Sequence, residues 1–334
     1  MFHSCKRWMT MLLAGVMISG LAYGASDYRL SGPYQFQNLT IFIAHSDLEA
    51  DVSNLLTLNE ALEKGYVTVF ETGQVGELAI ENFSAYPVYI QSGMIVKGGK
   101  QDRVLRFDII IQAKSGRVPL PSFCVEQGRW TAREKESADR FSSAAKLVPH
   151  REVKLAAKAA ESQEQVWSSV ADLGKAIKSN VRGEADGGGY HSSSLQIMQE
   201  DEIVRSRVED YLEYFRGKIR LRDDAVGLIF AVNGKLSCAD LYQSPLLFAK
   251  MYPQLLEAAA TEAITEFAPK KKVPTVTSAD VFRWLEESEQ GNFFRKTINR
   301  TMELRIKETD DCVVFETYPN LKTSIWIHKN ILAR

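Results

Sequence analysis

Cysteine is scarce in this chain of 334 residues: four are present, and no two lie close enough in sequence to suggest zinc-type spacing. The five histidines are isolated, with no HxxxH, HxH or histidine–carboxylate ladder, so no metal site is expected. Charge of one sign is missing as well. Lys and Arg number 41 against 42 Asp and Glu, a formal net charge of -1. That balance argues against nucleic acid as a partner, because nucleic-acid binders usually carry a basic stripe. The Lys270-Lys271-Lys272 run is short, lies between Pro269 and Pro274, and reads as a solvated linker. Neither the GxSxG elbow, the GxGxxG fingerprint nor a Walker P-loop occurs. No cofactor is therefore expected. Beyond the N-terminal segment no stretch is long and apolar enough to span a bilayer.

At that N-terminus the pattern is that of a secretory signal. Lys6 and Arg7 precede an uncharged apolar run from Trp8 to Leu21, followed by Ala22-Tyr23-Gly24. The run is short for a membrane span, and small residues occupy the two positions a signal peptidase reads, so cleavage before Ala25 is expected rather than an uncleaved anchor. Cys5 lies ahead of the run and cannot anchor a lipid. The mature protein is expected to be periplasmic or extracellular, with no membrane span. It would keep Cys124, Cys238 and Cys312, an odd set that leaves at least one thiol free or paired between chains.

With 45% hydrophobic and 25% charged residues, the composition fits a globular protein with a substantial core, and the length suggests roughly two domains. The pattern reads as α+β: an N-terminal antiparallel β-sandwich-like domain, a helical middle and a mixed α/β C-terminal part. The boundaries expected are 1–24 for the signal, 25–132 for the β-rich domain, 133–222 for the helical region and 223–334 for the rest. Short β-branched and aromatic runs with turn signals between them fill the first domain, beginning with Leu39–Ile43. Apolar residues at helical spacing predict one helix over Arg151–Lys178 and another over Ile197–Arg216, with a Gly/Ser-rich loop at 186–194 between them. Asn233-Gly234 between two strand-like runs predicts a hairpin. Helices are expected over Leu246–Phe267, with Pro253 inside, and from Ser278 through Glu287. Strands are expected over Thr301–Lys307, Cys312–Thr317 and Ser324–His328.

Two segments could carry chemistry. The first is Lys97-Gly98-Gly99-Lys100-Gln101-Asp102-Arg103. Paired glycines let a backbone approach a ligand and can turn N–H groups toward an anion, while a guanidinium can clasp a carboxylate or phosphate. The plainer reading, favoured by the local sequence, is a hairpin turning at Gly98-Gly99 with solvated charges beside it. The second is Phe123-Cys124-Val125-Glu126-Gln127-Gly128-Arg129-Trp130. On one extended strand Cys124 and Glu126 would face the same way, and Gly128 would let Arg129 and Trp130 turn back toward them. Glu126 is then a candidate general acid or base, Cys124 a candidate nucleophile, Arg129 an anion clamp and Trp130 a wall. The competing reading is a structural pair of Glu126 with Arg129 or Arg103, with Cys124 buried as a small hydrophobe.

The run Gly98–Leu105 followed by Cys124–Trp130 resembles the bacterial ARG and rhodanese-phosphatase-superfamily-associated protein domain family. Gln165–Trp167 and Val226–Phe230 through Asp240–Tyr242 are similar too, so the resemblance covers nearly all of the mature chain. It implies association with ADP-ribosylglycohydrolase-type and phosphatase-type partners, and hence an anionic, nucleotide-derived ligand. It assigns no activity, but it favours a shared site for the two segments.

Three functions follow. The first is a binding module in which Gly98, Gly99, Lys100, Gln101, Arg103, Glu126, Arg129 and Trp130 surround a small anion. The second is a hydrolase-like enzyme using Glu126 and Cys124. The third is a cell-envelope structural or interaction protein whose charged segments lock the fold.

Overall fold

The computed structural model of the protein describes residues 27–47, 54–128, 130–132, 137–147, 150–182, 201–268, 272–319 and 325–334. The signal segment 1–24, the loop at 186–194, Lys270, Lys271 and Arg129 lie outside them.

The largest element is an antiparallel sheet of eight strands, in the order β1-β2-β12-β13-β17-β16-β15-β14. Its members are β1 (Arg29–Phe36), β2 (Leu39–His45), β12 (Ala225–Val232), β13 (Lys235–Tyr242), β14 (Asn292–Asn299), β15 (Met302–Glu308), β16 (Cys312–Tyr318) and β17 (His328–Ala333). Every residue of β2, β12 and β16 is buried, which requires cover on both faces. That fits the β-branched and aromatic run of Leu39–Ile43, with three apolar residues in succession from Ile41. Phe42, Ala44, Ile229 and Val314 point into one core, while Ile41, Ile43, Leu228 and Val313 point into the other. The period of two within each strand divides them.

A second sheet, β11-β7-β8-β10-β5-β4, and a three-stranded sheet, β3-β6-β9, use the remaining strands of the chain's first half. They comprise β3 (Leu56–Thr57), β4 (Val67–Gln74), β5 (Glu77–Asn82), β6 (Val88–Ile90), β7 (Met94–Gly98), β8 (Arg103–Leu105), β9 (Ile109–Ile111), β10 (Gly116–Cys124) and β11 (Phe141–Leu147). Sheet pairing crosses the expected boundary at 132. The first two strands leave the rest of the β-rich segment: β1 pairs with β2, and β2 pairs with β12, joining Leu39 to Val232 and Ile43 to Leu228. Strand β11 crosses it in the other direction, pairing with β7.

The helices are α1 (Leu58–Glu63), α2 (Arg151–Lys158), α3 (Gln163–Ile177), α4 (Glu202–Lys218), α5 (Pro245–Thr265) and α6 (Ser278–Ser288), with a short π-turn over Lys178–Arg182 after α3. The single helix expected over Arg151–Lys178 is two. Glu161 stands at φ +48, and Ser162 caps a fresh start by accepting the N–H of Gln165. Glu161 carries its carboxylate to both Arg106 and Lys296, so the break joins α2–α3 to two other parts of the chain. Asn233 (φ +52) and Gly234 (φ +76) turn the β12–β13 hairpin as expected. The α6 cap is Thr277 rather than Ser278, through a reciprocal box with Asp280. The last strand begins at His328, where the sequence pattern would end one. Strand β14 was not expected at all. Among the described residues no helix is long and apolar enough to cross a membrane.

Candidate functional site

The two segments singled out in the sequence do meet. Strand β8 pairs antiparallel with both β7 and β10, and the β8–β10 register sets Arg103 directly opposite Cys124. The Arg103 guanidinium donates from Nη1 to the Cys124 sulfur at 2.6 Å and to Gln101 Oε1 at 3.3 Å. Its Nη2 pairs with Glu71 Oε2 at 3.4 Å. Arg103 is 0% exposed, and its Nε has no hydrogen-bond partner. Gln163, the first residue of α3, fastens the end of β10 by accepting the Cys124 N–H at 2.9 Å and donating to its carbonyl at 2.7 Å.

Glu71, on β4, is the organising carboxylate here, and sequence reasoning missed it. Besides Arg103 it accepts the N–H groups of Gly73 at 2.9 Å and Lys100 at 3.2 Å. The segment Gly98–Arg103 is the connection between β7 and β8, as the hairpin reading expects, but Asp102 and Arg103 are buried rather than solvated. Its N–H groups do not form an anion cradle: Gly98 donates to Asp102 Oδ1, Gly99 to the carbonyls of Ser137 and Arg140, and Lys100 to Glu71. Gly99 is required at φ +56, because a Cβ there would come within 2.6 Å of the Phe141 ring.

Cys124 ends β10, and Glu126 lies beyond it in a bend rather than on the same strand. They are 1% and 5% exposed. Burial pushes the Cys124 thiol up, and the adjacent Arg103 charge only partly offsets it. Trp130 is the accessible member of the group at 40% exposed. Lys100 Nζ lies 5.3 Å and Arg103 Cζ 5.4 Å from the ring centroid, within cation–π range. Cys124, Cys238 and Cys312 are all free thiols.

A second polar cluster, larger and wholly interior, has no counterpart in the sequence reading. It lies where the eight-stranded sheet meets the β6–β9 region and α2. The His328 ring is held between two carboxylates, Nδ1 on Asp108 at 2.8 Å and Nε2 on Asp240 at 2.9 Å. Asp108 also accepts from Ser92 N–H at 2.7 Å and the Thr317 hydroxyl at 2.8 Å. Asn330 donates to Asp240 at 3.1 Å and accepts from Lys158 at 2.7 Å. Tyr242 donates to Gln91 at 2.5 Å, and Cys238 donates to Asp240 at 3.3 Å. All of these residues are buried, as is Lys154, whose Nζ stands 3.9 Å from the Cys238 sulfur.

Burial opposes ionisation of Asp108, but the charge and hydrogen bond of His328, with Lys158 and Ser92, together outweigh it and hold the carboxyl well below the usual range. For Asp240 burial is again outweighed, by Lys154 and His328, and its carboxyl is also lowered. Burial disfavours the His328 cation, yet Asp108 and Asp240 raise it. Lys158 goes the other way: burial, with Lys154 beside it, outweighs the pull of both carboxylates and lowers it. A carboxylate lowered in the fold contributes stability above its unfolded pKa, near 4, and loses it as pH falls through the folded value. The melting temperature, followed by circular dichroism, is therefore expected to drop steeply from about pH 4 downward. An Asp108→Asn variant, less stable at pH 6, should show a shallower acid fall. An identical acid profile would remove Asp108 from that account.

The fold is thus a mixed α+β arrangement of mostly antiparallel sheets with two clusters of internal polar groups, one of which reaches the surface at Trp130. The chain belongs to the ARG and Rhodanese-Phosphatase-superfamily-associated Protein domain family (ARPP-1), whose model matches residues 27–329. No curated protein and no solved structure matches it.

Proposed function

We propose that this chain is an exported binding module for a small anionic ligand with a planar body, as a nucleotide presents, taken up at the Lys100–Trp130 edge of the β7–β8 hairpin. The observation that carries the reading is the half-open Trp130 ring with the Lys100 ammonium above it. Glu71 is occupied by Arg103 and two backbone N–H groups. An exposed aromatic offers a stacking surface, and an ammonium beside it favours a phosphate or carboxylate. In this arrangement Gly98, Gly99, Gln101 and Arg103 shape and brace the hairpin, and Lys100 and Trp130 make the contact. The hydrolase-like reading needs Cys124 or Glu126 within reach of a substrate, and both are buried. The fold-locking reading draws on the buried Arg103–Glu71 pair, which is compatible with a ligand at the neighbouring Lys100.

Thermal denaturation with ADP, and with inorganic phosphate as the body-less control, tests the reading. ADP at about 100 times its dissociation constant should stabilise the fold by about 2.7 kcal/mol. Lys100→Ala should weaken binding roughly tenfold, the loss of one charge-assisted contact, and Trp130→Ala should remove the preference for ADP over phosphate. An unshifted melting temperature at millimolar ADP would end the proposal.

A further inference from the structure

Away from both polar clusters, a cleft of about 580 Å³ opens between the edge strand β9, strand β10 and the β14–β15 turn. Its volume falls within the range of small-molecule sites, about 300–1,000 Å³. The β9 isoleucines, Val118, Pro121 and Ile298 give it an aliphatic lining. The polar residues around it are largely engaged. Ser115 donates its hydroxyl to the Gly116 carbonyl at 2.7 Å and accepts the Asn82 N–H at 3.2 Å. Asn299 Oδ1 takes the Thr301 N–H at 2.9 Å and the Thr301 hydroxyl at 3.1 Å. No lining residue has a buried side-chain polar atom without a partner. The cleft therefore offers hydrocarbon contact along its length and few directed hydrogen bonds.

One charge completes it. Arg300, exposed on the β14–β15 turn, is the charged lining residue, and no carboxylate lines the cleft. A guanidinium at the end of an aliphatic slot selects a ligand with a hydrocarbon body and a single anionic head. A nucleotide, with its many hydrogen-bonding groups, would leave them unmatched here. We infer that this cleft is a second ligand site, for a free single-chain fatty carboxylate, with the chain against Ile110, Val118 and Ile298 and the carboxylate on Arg300. The head group lies at a turn whose backbone is fixed by the Asn299–Thr301 bonds, so the cation is presented from an ordered loop.

Isothermal titration of the full chain with dodecanoate below its micellar concentration tests this, with hexanoate and dodecanol as comparisons. Saturable one-to-one binding is expected, with affinity rising roughly fourfold for each methylene the cleft buries. Arg300→Ala should weaken dodecanoate roughly tenfold and leave dodecanol unchanged. Ile298→Glu should abolish both. Should that variant fail to keep the wild-type melting temperature, Arg300→Glu, on an exposed turn, carries the test with a larger loss for the carboxylate alone. Absent dodecanoate binding, an affinity indifferent to Arg300, or association with phosphatidylglycerol vesicles without binding of monomeric dodecanoate would each overturn the proposal. Because the Lys100–Trp130 edge is untouched by these variants, its ADP response should be the same in all of them.

Discussion

Replacing His328 by Ala is expected to cost about 3–5 kcal/mol of stability, a large share of the 5–15 kcal/mol that holds a typical domain together. The imidazole donates to Asp108 on one side and Asp240 on the other, and all three are buried. Removing it leaves two carboxylates facing each other across a void, with Lys154 and Lys158 as the nearest cations influencing them. An uncompensated buried charge is far more costly than the pair it came from was worth. Urea denaturation should place the midpoint well below that of the parent, with the slope retained. Combining His328→Gln with Asp108→Asn and Asp240→Asn should recover part of the loss, since neutral groups of similar shape can bond one another. A His328→Ala midpoint within about 1 kcal/mol of the parent would mean that the ring carries no charge there.

That cluster also shows where sequence reading ran out. Asp108 lies just before β9, Asp240 within β13, and His328 at the first position of β17. Nothing local ties the three together, because the pairing of β13 with β17, which places Asp240 opposite Asn330, is a tertiary event. One signal was available. Lys154 and Lys158 sit four apart on α2 beside Val153, Ala156 and Ala157, all buried, and a lysine on the apolar face of a helix needs an interior partner. The Gly98–Gly99 hairpin and the Asn233–Gly234 turn were legible because each is dictated within a few residues by backbone sterics. The same locality explains why pairing across residue 132 was not legible. Leu39–Ile43 is correctly a strand, but its partner is Leu228–Val232, nearly two hundred residues on in sequence. The contribution of Glu71 was hidden for the same reason, since β4 reaches Arg103 only once the sheet has formed.

Arg103→Ala is the second substitution expected to be severe, again about 3–5 kcal/mol, and it separates bracing from recognition. The guanidinium is enclosed between Glu71, Gln101 and Cys124. Its loss strands the Glu71 carboxylate, which would keep only the N–H groups of Gly73 and Lys100. Glu71→Gln alone should also destabilise, leaving a buried cation beside a thiol. The double variant Arg103→Ala/Glu71→Gln should lose less than the sum of the singles by about 0.5–3 kcal/mol, the signature of residues acting as one unit. Lys100→Ala, whose ammonium rests over a half-exposed ring, should change the urea midpoint by no more than about 1 kcal/mol while weakening ADP binding. If Arg103→Ala instead left stability intact and abolished the ADP response, the guanidinium would be a ligand contact and the buried pair with Glu71 incidental. The geometry favours the opposite outcome: a ligand would have to displace Glu71 from a fully enclosed cation, whereas Lys100 and Trp130 already stand at the surface.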